Sequence, residues 1–93
     1  MTPEKEIALG YRAEEILENP AYIAAFASMK QEIEDQWKNS PARDVEGRER
    51  LWLMQSLLGK LQITLAAVMQ GGNVAKMNLK HEQSLLERVG LGR

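Results

Sequence analysis

Apolar residues recur every three or four positions through most of this chain, and nowhere do they alternate with polar ones for the length of a strand. That periodicity predicts helices throughout and no sheet. Thr2-Pro3 is a helix start, because a threonine oxygen accepts from free backbone N–H groups and proline at the first helical position loses no hydrogen bond. The first helix, about 3–18, carries Leu9, Ala13, Ile16 and Leu17 on one stripe with Ile7 and Tyr11 beside it. Asn19-Pro20 repeats the start signal, and a second helix, about 20–38, aligns Tyr22, Phe26, Met29, Ile33 and Trp37. It stops at Asn39-Ser40-Pro41, since a residue before proline avoids the helical region. A polar connection from Ser40 to Gly47 follows, with Asp44 as the cap of a third helix, about 45–70. There Leu51, Met54, Leu58, Leu61, Leu65 and Val68 alternate by three and four in a coiled-coil-like seam. Beside the seam runs a stripe of Trp52, Ser56, Gly59, Ile63 and Ala66. Gly71-Gly72-Asn73 reads as the end of that helix and the cap of a weaker fourth one, about 74–89, with Val74, Met77, His81, Leu85 and Val89 on one side. Gly90 with Leu91 behind it has the look of a Schellman ending.

The expected fold is therefore all-α: an antiparallel helical hairpin of about 20–38 and 45–70, flanked by the N-terminal helix and the weaker C-terminal one, in a single helical domain over 1–93. At 10.5 kDa, scaling surface with mass gives roughly 15,000 Å² for the unfolded chain and roughly 5,400 Å² folded, a marginal balance for an isolated monomer. Leu51-Trp52-Leu53-Met54 sharpens the point, because four consecutive apolar side chains sweep about 300° of a helix. A two-helix hairpin cannot cover all of them, so a second subunit is expected to. Leu51, Trp52, Leu58, Leu61, Leu65 and Val68 are the expected core or oligomer-interface residues, and Trp37 and Trp52 are expected to face each other in the hairpin core.

Composition narrows the chemistry. The longest greasy stretch, Leu61 to Met69, falls short of the ~20 residues of a membrane span, and 44% hydrophobic residues exceed what disordered chains carry, so a soluble, cytoplasmic protein is expected. With no cysteine there is no disulfide, thiolate nucleophile or cysteine-ligated metal. The single histidine, His81, has no partner histidine at helical spacing for a metal, and Ser84 nearby has no nucleophile-elbow context. Glu14 and Glu18 are an ordinary solvated pair, and Gly71-Gly72-Asn73 lacks the strand and lysine of a phosphate loop. No enzyme, cofactor or metal is expected. Residues 1–40 hold four basic and eight acidic side chains, net −4, and 41–93 hold eight and five, net +3, which suits head-to-tail attraction between subunits. Arg43, Arg48, Arg50 and Lys60 are the candidate nucleic-acid or anion-binding residues, although Asp44, Glu46 and Glu49 are interleaved and suggest a salt-bridged surface.

Leu17-Glu18-Asn19-Pro20-Ala21, Trp37, Arg48-Glu49-Arg50-Leu51-Trp52 and the run Leu61 to Gly71 together resemble short helical proteins of tailed-bacteriophage and prophage genomes, over about residues 8–80. The resemblance implies a phage origin and a place near head and DNA-packaging genes. Small terminase subunits are a related comparison: helical, ring-forming packaging proteins, from whose pattern the acidic first two helices depart. The expectation is a non-enzymatic oligomeric phage protein of head assembly or DNA packaging, acting in the host cytoplasm or on the virion, with packaging proteins or DNA as partners. The alternative is a small phage-encoded inhibitor that binds a host defence protein or sequesters a signalling nucleotide.

Overall fold

The computed structural model describes residues 1–88, and the expectations at Val89, Gly90 and Leu91 lie outside them. The described residues are all-helical: α1 (Pro3–Glu18), α2 (Pro20–Asn39) and α3 (Val45–Arg88). The caps are local and fall where short-range chemistry puts them. Thr2 Oγ1 accepts from Lys5 N at 3.3 Å, and Asn19 Oδ1 accepts from Ala21 N at 2.8 Å and Tyr22 N at 3.2 Å. Ser40 leaves the helical region (φ −77°, ψ 138°) ahead of Pro41, with its hydroxyl donating to Trp37 O at 2.7 Å. Asp44 starts α3, its Oδ1 accepting from Gly47 N at 3.1 Å.

The expected break at Gly71-Gly72-Asn73 does not occur, and the expected third and fourth helices are one helix of 44 residues, about 66 Å long. Glycine in a helix interior costs about 1 kcal/mol against alanine, a penalty that tertiary contact can offset. Here it is offset at one of the two positions. A Cβ built on Gly72 would lie 2.8 Å from Gly10 Cα and 2.9 Å from Glu6 O, and one on Gly10 would lie 2.9 Å from Gly72 Cα. Two helix backbones meet there at a distance only glycine permits. Gly71 has nothing within 4 Å of its Cβ position and makes no such contact.

The chain packs as two units. In the first, Met1–Glu15 lies against the α3 residues that follow Leu65. Its contact is made of small residues: Gly10 and Ala13 of α1 and Gly72 and Ala75 of α3 are all buried. Beside them Lys76 Nζ donates to Tyr11 Oη at 2.8 Å and sits 5.3 Å from the Tyr11 ring centre. That hydrogen bond is the main cause of the upward shift of the Lys76 pKa.

In the second unit, Ile16–Thr64, Ile33 of α2 packs with Leu51 and Leu58 of α3, and half-buried Phe26 closes the cluster. Tyr22 stacks beside Phe26 with ring centres 6.0 Å apart. Elsewhere large apolar side chains stay in contact with water, among them Met29, Trp52, Leu53, Leu57, Ile63 and Met77. The chain leaves 7,522 Å² accessible, where a folded monomer of this mass has roughly 5,400 Å².

The two adjacent glycines should respond oppositely to alanine. Gly71→Ala gains helix propensity, up to about 1 kcal/mol, without a clash. Gly72→Ala gains the same and overpacks backbone against backbone, which costs about 1–3 kcal/mol. Urea denaturation should order the variants Gly71→Ala above Gly72→Ala, and equal midpoints would refute the close approach. Leu58→Asp, which buries a charge in the α2–α3 cluster, should abolish cooperative unfolding and most of the helical circular dichroism.

Candidate interaction surface

Of the expected core or interface residues, only Leu51 and Leu58 are buried. Leu65 is half-buried, whereas Trp52 is 58% exposed, Leu61 50% and Val68 38%. The single seam read from the sequence is divided. Leu51 and Leu58 turn inward, and with Gln55 and Gln62 they border Phe26 and Lys30 of α2. Met54, Leu61 and Val68, every second member of that seam, face water. Leu57, Thr64 and Gly71 are exposed as well, so Met54, Leu57, Leu61, Thr64, Val68 and Gly71 follow one another by three and four on an uncovered face. The sequence signal for this face was the four-residue run Leu51 to Met54, which no single partner helix can cover. Gly10 escaped sequence reasoning because a helical glycine looks like a weak position until its opposite number is known.

The tryptophans do not fill the core. Trp37 and Trp52 are both exposed and line a shallow groove of about 200 Å³ with Glu34, Lys38 and Gln55. Their rings are too large for the narrow contact made by Ile33, Leu51 and Leu58, so they flank it. The Arg48 guanidinium lies 4.3 Å from the Trp37 ring centre, a cation–π geometry that half-buries the arginine.

Arg43, Arg50 and Lys60 are exposed. The salt-bridged surface expected around them is not formed: among the described residues the only ion pair is Arg12–Glu15, at 3.2 Å. Asp44 is occupied in capping α3, and Arg48 is occupied by Trp37. His81 is exposed on α3, and no three histidine, aspartate or glutamate side chains gather around a metal-sized space among the described residues. The largest hollow is an open polar strip along α2, from Ser28 to Asn39. α3 also contains an 18-residue stretch of mean hydropathy 1.3, long and apolar enough by length and composition to cross a bilayer.

No family model matches the chain, and no curated protein or solved structure matches it either.

Arg48→Ala should uncover the Trp37 ring. In a Trp52→Phe background, where Trp37 is the sole fluorophore, its emission should shift to longer wavelength and stability should fall by about 0.5–1 kcal/mol. An unchanged spectrum would remove the stacking assignment.

Proposed function

We propose that this chain is a non-enzymatic assembly protein of a tailed phage, working as an oligomer in head assembly or DNA packaging. In this reading α2 and the first half of α3 act as an antiparallel hairpin, α1 and the second half of α3 flank it, and the uncovered face of α3 is where subunits or packaging proteins meet. The observation that carries the reading is the large apolar area that α3 leaves in water, since monomers rarely expose such contiguous surface. The phage association rests on the resemblance in Leu17 to Ala21, Arg48 to Trp52 and Leu61 to Gly71. Exposed Arg43, Arg50 and Lys60, with no carboxylate partner, supply cations of the kind that phosphate contacts use.

Native mass spectrometry with and without duplex DNA tests this directly. The expected result is an assembly of several identical subunits that gains DNA mass. A monomer that carries a host protein or a nucleotide would replace this reading with the inhibitor one. If Arg43, Arg50 and Lys60 each touch a phosphate, changing all three to alanine should weaken DNA binding and lower the slope of log affinity against log salt by about 2.7 for duplex DNA. An unchanged slope in fluorescence anisotropy titrations would exclude these three residues from the contact.

A further inference from the structure

We propose that the uncovered face of α3 pairs with the same face of a second copy of this chain, the two α3 helices running antiparallel about a twofold axis. The proposal rests on the assembly reading above and specifies its partner and geometry.

Two observations select a second copy as the occupant. The first is area. The chain exposes roughly 2,100 Å² more than the roughly 5,400 Å² of a folded monomer of its mass, and a stable pairwise interface buries about 1,200–2,000 Å² in total. The second is the order of side-chain sizes along the face. Its N-terminal half carries Met54, Leu57 and Leu61, and its C-terminal half carries Thr64, Val68 and Gly71. A twofold interface must be complementary to itself, with the same patch contributed by both subunits. Antiparallel pairing achieves that here: Met54 falls opposite the partner's Gly71, Leu57 opposite the partner's Val68, and Leu61 opposite the partner's Thr64. Every layer then holds one large and one small side chain. The open space over Gly71 accommodates a methionine. A parallel pair in register would stack Met54 on Met54 and Gly71 on Gly71, crowding one end and leaving a void at the other.

Flanking positions agree. In the same antiparallel register exposed Leu53 and Val74 come near each other across the pair, and Lys60, the only charged side chain between Leu51 and Ala75, falls beside the partner's Ala67. A face this short, two and a half heptads, would not hold two free helices together. Here each helix is already formed against α1 and α2, so pairing orders side chains only.

Sedimentation equilibrium and disulfide trapping test the pairing on the full chain. The unmodified protein should sediment at an even multiple of 10.5 kDa. Leu57→Asp changes a side chain that is 67% exposed, so helical circular dichroism should persist while the mass falls by half; Ile63→Asp, 72% exposed and off this face, should leave the mass unchanged. Because the chain has no cysteine, single cysteines report orientation. An equimolar mixture of Met54→Cys and Gly71→Cys should form a mixed disulfide dimer at least tenfold faster than either variant alone. Faster trapping of each variant with itself would overturn the antiparallel arrangement, and a Leu57→Asp protein of unchanged mass would overturn the face. An unmodified protein that is monomeric and partitions into phosphatidylcholine vesicles would assign the face to lipid instead. A pair trapped as expected that gains no DNA mass would uphold this inference and remove the packaging role.

Discussion

Interior is the scarce quantity in this protein. The apolar side chains buried among the described residues are Ala13, Ile33, Leu51, Leu58 and Ala75, and two of these are alanines. A helix of 44 residues needs support along its length, because propensity alone leaves helices marginal in water and packing of an apolar face supplies most of their stability. α3 receives that support in two places of different character. Against α2 it comes from branched and aromatic bulk, Ile33 with Leu51, Leu58 and Phe26. Against α1 it comes from closeness, where Gly10 and Gly72 let two backbones approach and Ala13 and Ala75 extend the contact. Neither place covers more than one side of α3, so the apolar residues on its remaining sides are left to water or to another molecule. Association is the ordinary way for a small chain to complete such a core.

Gly71 and Gly72 mark the limit of what a sequence tells. Both are the same residue in the same helix, and a pair of glycines followed by asparagine has the form of a helix ending. The outcome was decided by Gly10, distant in sequence, which makes Gly72 a contact rather than a cap. Local chemistry was legible for the opposite reason. Asn19, Asp44 and the bond before Pro41 act within three residues, so their roles follow from the sequence alone and are met in the structure. The heptad spacing of α3 was legible as spacing but not as direction. Leu51, Met54, Leu58, Leu61, Leu65 and Val68 form a single seam on paper, and only the placement of α2 separates the members it covers, Leu51 and Leu58, from those it leaves bare. Likewise the tryptophans were identifiable as neighbours of the α2–α3 connection, while their exclusion from the core depended on how narrow that core is.

The candidate site follows the same logic of prior commitments. Around the α2–α3 connection the acidic and basic side chains nearly balance, and counting charges predicts mutual neutralisation. Asp44 is instead spent on the Gly47 N–H, which it accepts at 3.1 Å at the start of α3. Arg48 is spent on the Trp37 ring, 4.3 Å away, so its planar face is covered. Exposed ion pairs contribute little in water, so these local uses displace them at small cost. Arg43 and Arg50 remain uncommitted at the connection, with Lys60 further along α3. Uncommitted cations beside a helix whose bare face recruits another copy would be multiplied by assembly: each added subunit repeats the same few charges, and a chain with net charge −1 acquires a periodic basic edge without becoming basic overall. Any affinity of this edge for a polyanion would therefore come from the number of subunits, and it would vanish with the pairing even if every arginine stayed in place.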